Sequence, residues 1–269
     1  MGIAQHPHEL DGSGGKAALI TIARYTLIEA LRSKVLWLAL LLAILGFGFS
    51  LFLQQIAVTE SRQIQSGTLA MIYRLGAVFI LCSFVVSGTL RDYHDKAMEF
   101  FLAMPMSRAS YGFGKLSGYA ACSLILSMLL CIPLLWSNAA GTVLLWGISL
   151  FLELVLMGSV SFFFAITLTQ MPAALAAAFG FYLLSRAMGT LILIMNGPLA
   201  GQDLPRRIGS MVLSAIGFLL PRLDEFTRTA WLVYPGSGWH ELLPVAAQTA
   251  IYSVLISSAA LFDFYRREL

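Results

Sequence analysis

Residues 35–53 read VLWLALLLAILGFGFSLFL, a run without a single charged side chain. As a helix rising 1.5 Å per residue it would extend about 28 Å, close to the roughly 30 Å of a bilayer's hydrocarbon core. It lacks the alternating polarity of a half-buried strand. Hydrocarbon offers the backbone no hydrogen-bond partners, so a segment of this composition satisfies its own amides as a helix. Similar runs recur along the chain. Of its 269 residues, 58% are hydrophobic and 12% are charged, about half the charged share of soluble domains. Mean hydropathy is +0.81. These values exclude a soluble globular domain and predict an all-α integral membrane protein.

Six spans are expected, at about residues 35–53, 68–90, 116–136, 142–168, 173–195 and 245–264. Upstream of the first, residues 16–34 place Ile20, Ala23, Leu27 and Leu31 in one helical stripe with Glu29, Arg32 and Ser33 away from it. That pattern predicts an amphipathic helix on the membrane surface, the alternative being an extension of the first span. Residues 1–34 thus form a tail and interfacial helix, and 35–269 a single membrane domain. The polar, Gly-rich start is not a cleavable signal peptide, so the N-terminal tail is expected to stay in the cytosol. The fifth span carries small residues at Ala173/Ala177 and Ala176/Gly180, a face suited to helix contact within the chain or with a second copy. Residues 196–244 are broken by prolines, and the apolar stretch 208–220 has the length of a re-entrant or interfacial segment.

An even number of spans leaves both termini on one side. That side would carry Lys16, Arg24, Arg32, Lys34, Arg91, Lys96, Arg108, Lys115, Arg266 and Arg267; the other, Arg62, Arg74, Arg206, Arg207, Arg222 and Arg228. Basic residues near span ends are retained in the cytoplasm. Both termini and residues 91–115 are therefore expected inside a bacterial inner membrane, and 196–244 outside as a cap of short helices. The formal charge of +3 sets orientation and implies no nucleic-acid partner.

Several chemistries are excluded by spacing. GSGGKA at 12–17 and GFGK at 112–115 lack the GxxxxGK[ST] arrangement in which successive amides cradle phosphate. PGSGW around Ser237 is not a nucleophile elbow, and Cys82, Cys122 and Cys131 lie in apolar runs as small hydrophobes. His240 with Glu241 falls short of the three or four ligands of most metal sites. No catalytic constellation, bound cofactor or metal site is expected of this chain. Two charges fall deep in spans, Glu153 in the fourth and Arg186 in the fifth, whereas Arg74 is expected near enough to its span's outer end to snorkel. A charge at the bilayer centre needs a partner or a water-filled cavity. A Glu153–Arg186 pair is the expectation, as structural glue or as lining of a substrate path.

The most distinctive stretch is RDYHDKAMEFFLAMPMSRASYGFGK, residues 91–115. Asp92 is a candidate N-cap with Asp95 three residues on, predicting a cytosolic helix over about 93–104 that Pro105 stops. Met98, Phe101 and Leu102 would form its apolar face, and Gly112 and Gly114 would permit a bend before the third span. Such a helix could dock on a protein or lie on lipid headgroups.

The order of Arg91, Asp92, Glu99, Phe100, Phe101, Pro105, Ser107, Arg108, Gly114 and Lys115 resembles the permease subunits of type-2 ABC exporters. Lys96-Ala97 stands where that family usually has Gly-Thr. LLPRLDEFTRTAWLVY at 219–234 is similar to a stretch in some of its bacterial permeases. The resemblance implies that residues 91–115 contain the coupling helix seated in a groove of a separate cytosolic ATPase. It implies two ATPase copies binding ATP and magnesium, a second copy of this chain or a homologous permease, and surrounding membrane lipid. The chain itself would do no bond chemistry and would couple the partner's ATP hydrolysis to export. Readings from other classes are a proton- or ion-coupled secondary transporter and a membrane scaffold for an assembly factor.

Overall fold

The computed structural model describes residues 12–56, 61–94, 108–136, 138–195, 211, 213, 215–217, 220–226, 230–233 and 239–266. Among them every regular element is helical. Helix α1 (Gly12–Arg32) stops at Ser33, whose hydroxyl donates to the Ala30 carbonyl at 2.8 Å and accepts from the Val35 amide at 3.3 Å. The chain turns there into α2 (Val35–Ile56), so α1 is a separate helix and not an extension of the first span. Four long helices follow: α3 (Ser61–His94), α4 (Arg108–Leu134), α5 (Ala140–Leu168) and α6 (Met171–Met195). Two short helices, α7 (Leu223–Phe226) and α8 (Ala230–Val233), and a 3₁₀ turn (Trp239–Glu241) precede α9 (Leu242–Arg266).

Six of these helices, α2 to α6 and the turn-plus-α9 unit, are long and apolar enough to cross a bilayer. Their alternation brings the Val35, His94, Arg108, Leu168 and Arg266 helix ends to one end of the bundle, here the Lys115 end. The opposite end carries Trp136, α7, α8 and Trp239. Boundaries differ from the hydropathy reading mainly around α3 and α4. Arg91 to His94 continue α3, and α4 begins at Arg108, so Gly112 and Gly114 lie inside a helix and make no bend. Hydropathy stops at the first polar residue, whereas a helix continues wherever neighbouring helices supply partners for those residues.

Helix α5 is the hub, packing on α3, α4, α6, α7, α8 and α9. Of the membrane-spanning windows, 72% of that in α5 and 67% of that in α3 is buried, against 22–28% for α2, α6 and the α9 unit. The outer helices therefore carry the lipid-facing surface. Because lipid is as apolar as leucine, such a bundle is held by close packing and satisfied polar groups, not by a hydrophobic drive between helices. Accordingly, Ser123, Ser127, Ser149 and Ser159 donate to carbonyls three or four residues back on their own helix. Tyr73 of α3 donates to the Ala43 carbonyl of α2 at 2.8 Å.

Helix α1 packs along α4 and only slightly on α2. Its buried stripe is Ile22, Thr26 and Ala30, while Ile20 and Leu31 of the stripe expected from hydropathy are exposed. On α6, Ala174 and Ala178 face the core, whereas Ala176 and Gly180 are uncovered in this chain. The α5–α6 turn is tight: Thr169 takes a left-handed backbone, φ 52°. In the segment 208–220 the described residues 211, 213 and 215–217 are helical.

Candidate functional site

Residues from both ends of the 91–115 stretch meet in one polar cluster on three helices. Tyr111, Lys115 and Tyr119 repeat every four residues along α4, and Thr89 and Asp92 lie three apart on α3, so each set occupies one face. Lys115, 5% exposed, points its Nζ at Asp92 Oδ2 at 2.6 Å, with Glu29 Oε2 of α1 at 3.7 Å. Tyr111 donates its hydroxyl to the same Asp92 oxygen at 2.8 Å. Arg91 pairs with Glu29 Oε1. The Lys115 ammonium lies 5.9 Å over the Tyr119 ring, and Tyr119 and Thr89 share a hydrogen bond at 3.0 Å. Two acids and two bases balance. That balance is what a buried lysine requires, because an uncompensated charge away from water costs several kcal/mol.

Small residues let α1 reach this cluster. A Cβ on Gly114 would stand 2.9 Å from Ile22 Cβ, and one on Gly118 would stand 2.6 Å from Thr26 Cβ. Gly114 thus serves close packing against α1. The start of α4 is also tied to the end of α9: the Ala109 amide donates to the Tyr265 hydroxyl at 3.3 Å, and Tyr111 stacks on Phe264 with centroids 6.2 Å apart. Thr167 of α5 donates to Asp263 of α9 at 3.0 Å. The helix ends flanking residues 95–107 are therefore each bound to the bundle by named contacts.

Of the residues expected to couple to a partner, Arg91, Asp92 and Lys115 converge here, with Gly114 beside them. Glu99, Phe100, Phe101, Pro105 and Ser107, with the rest of the expected 93–104 helix beyond His94, lie outside the described residues; Arg108 opens α4. Asp92 is not an N-cap. It belongs to the last turn of α3, and its carboxylate is held sideways by Tyr111 and Lys115, whereas an N-cap has a non-helical backbone and bonds amides ahead of it. Tyr93 and His94 likewise end α3 instead of starting a new helix.

A second polar group lies at the middle of the bundle. Glu153 Oε2 pairs with Arg74 of α3, not chiefly with Arg186. Arg74 also donates to Ser149 Oγ at 2.8 Å and lies 5.3 Å over the Trp146 ring, all on α5. Arg186 approaches Glu153 Oε1 only to 4.0 Å and donates to the Tyr182 hydroxyl at 2.8 Å. The expectation that Arg74 snorkels is corrected, since its side chain is 3% exposed. Its helix begins at Ser61, ahead of the hydropathy boundary, which puts Arg74 about 20 Å along the axis. Glu153 lies about 20 Å from the start of α5. The two helices run the same way and so bring the charges to one depth. Sequence reasoning missed Glu29, Thr89, Tyr111 and Tyr119 in the first group and Arg74, Trp146, Ser149 and Tyr182 in the second. The available signal was Arg74's polarity amid apolar residues, once the helix start at Ser61 was recognised.

Fold and composition together define the class: a multi-pass membrane protein whose regular elements, among the described residues, are all helical. No protein-family model matches the chain, and no curated protein does either.

Proposed function

We propose that the chain is the permease subunit of a type-2 ABC exporter. In this reading, two cytosolic ATPase subunits bind ATP and magnesium, a second permease copy completes the membrane part, and the chain transmits force without bond chemistry of its own. The Lys115 end, with both described chain ends, faces the cytoplasm of a bacterial inner membrane. The observation that carries the reading is the Glu29–Arg91–Asp92–Lys115 cluster. A segment that receives force from a partner must be anchored at both ends, otherwise the displacement is lost in slack chain. Here the last turn of α3 and the first two turns of α4 are linked through Asp92 to Tyr111 and Lys115, and both helices are linked to α1 through Glu29. Movement of residues 95–107 would thus reach three helices together, and α9 through Tyr265. Glu99 and Phe101 would supply the charged rim and apolar face of the docking helix.

The test is copurification of the full chain, expressed with its neighbouring genes, with an ATPase. Glu99→Lys and Phe101→Asp should each abolish that association or ATPase stimulation while leaving membrane insertion intact. Unchanged assembly and transport in both variants would overturn the reading.

A further inference from the structure

Helices α4 and α9 touch near the Lys115 end, where a Cβ on Gly112 would stand 2.6 Å from Leu261 Cδ2 and Tyr111 stacks on Phe264. Further along they part, because α9 follows α5 closely and packs only slightly on α4. The space between them is a cavity of about 430 Å³, floored by Val155, Gly158 and Ser159 of α5. It runs from Phe113, about 8 Å along α4 from Arg108, to Ser123, about 23 Å along it. The Gly112–Leu261 contact stands between the cavity and the Lys115 end, while Phe113 and Val254, 51% and 65% exposed, mark its side toward lipid.

Six serines line this cavity, and they divide by what their hydroxyls do. Ser117, Ser123, Ser159 and Ser258 donate to carbonyls three or four residues back on their own helices, the usual recourse of a serine within a helix. Ser253 and Ser257 of α9 do not. Ser253 Oγ is buried without a partner, and Ser257, 8% exposed, makes no hydrogen bond to any described residue. Four residues apart, the two share one face of α9, and both line the cavity. What they lack is an acceptor, since each O–H is free to donate.

The rest of the lining restricts what can supply that acceptor. No Asp, Glu, Lys, Arg or His lines the cavity, and the hydroxyl of Tyr119, whose ring is in its wall, is taken by Thr89. A charged occupant would find no counter-charge at this depth, so the occupant is neutral. The volume falls in the roughly 300–1,000 Å³ range of small-molecule sites. A helix about 10 Å across would need roughly 1,200 Å³ over the same length of about 15 Å.

We infer that the cleft between α4, α5 and α9 binds an uncharged, lipid-soluble molecule whose apolar body carries a carbonyl oxygen, held by hydrogen bonds from Ser253 and Ser257. Entry is sideways from the bilayer, past Phe113 and Val254. Nothing in this site depends on an ATPase partner. Phospholipid esters offer the same kind of oxygen, but they reside near the interface, whereas Ser257 and Ser253 lie about 14 and 20 Å along α9 from Arg266.

The experiment irradiates the full chain, purified in dodecyl maltoside, with 4-octylbenzophenone, an uncharged ketone whose own carbonyl is photoreactive, and maps labelled peptides by mass spectrometry. Saturable labelling within residues 113–123 or 253–258 is expected, suppressed by 7-tridecanone and not by n-tridecane, which has the same number of carbons without the oxygen. Ser253→Ala combined with Ser257→Ala should weaken labelling about fivefold or more. Ala120→Phe, which fills the cavity and keeps both hydroxyls, should abolish it. No saturable labelling in these segments, or equal suppression by the two competitors, overturns the inference. That competition needs only wild type, so it decides even if the variants misfold. Repeating it in phosphatidylcholine nanodiscs separates the two sources of oxygen: persistent labelling supports a free ketone, and its loss assigns the site to phospholipid and overturns the inference. Crosslinking of Ser257→Cys to a second copy of the chain in membranes would make this face an interface between copies and overturn it as well.

Discussion

Replacing Glu153 with Gln should be among the most damaging single changes in the bundle, and its partner can be identified by double substitution. Glu153 is 0% exposed and Arg74 is 2% exposed. Two scales bear on the cost. Hydrogen bonds between membrane helices average only about 0.6 kcal/mol, while stripping one partner from a buried ion pair costs about 3–5 kcal/mol. The second applies here, because what remains is a full charge on Arg74 and not a neutral hydroxyl. Gln keeps an acceptor oxygen, and Ser149 and the Trp146 face stay in place, which puts the expected loss near the lower end, about 3 kcal/mol. Arg186→Gln, where the arginine only approaches Glu153 at 4.0 Å at the edge of the network, should cost under about 1 kcal/mol. Arg74→Gln combined with Glu153→Gln leaves no orphaned charge on that pair and should recover about 2 kcal/mol relative to additive single effects. Equilibrium unfolding by SDS in mixed micelles, followed by far-UV circular dichroism, reads the three single variants and the two doubles that pair Glu153→Gln with Arg74→Gln or Arg186→Gln. If Glu153→Gln costs less than about 1 kcal/mol, or if coupling appears with Arg186 and not with Arg74, the described network is wrong.

At the α1–α4 contact, Gly118→Leu should destabilise by about 1–3 kcal/mol through collision with Thr26 and expose the Arg24 bond to trypsin. Gly48→Leu, with nothing within 4 Å of its Cβ, is the neutral control, and equal sensitivity of the two would refute the packing account. In the polar cluster, Asp92→Ala removes the acceptor of both Lys115 and Tyr111 and should cost about 2–3 kcal/mol. Arg91→Ala, whose side chain is 58% exposed, should stay within about 1 kcal/mol; thermal unfolding in detergent separates the two.

The apolar runs determined the number of crossings, the helical class and the common end shared by Val35, His94, Arg108 and Arg266, because each follows from local composition and length. The sequence also marked Arg91, Asp92 and Lys115 as unusual, since charge beside a membrane run is visible without any neighbour. What it could not supply was rotation and adjacency. Hydropathy offered Glu153 one cationic candidate at its depth, Arg186, because a span starting near residue 68 put Arg74 toward the outer end; the helix start at Ser61 and the face of α3 that meets α5 decided for Arg74. The buried stripe of α1 was hidden for the same reason. Ile20, Ala23, Leu27 and Leu31 are the more hydrophobic row, yet Ile22, Thr26 and Ala30 face α4, because Gly114 and Gly118 open a groove that admits them. Asp92 read as a helix start when only its chain neighbours were considered, and became part of α3 once Tyr111 and Lys115 stood opposite. In lipid, where every side is apolar, hydrophobicity says which segments enter the membrane; shape and polar pairing between helices decide how they turn toward one another.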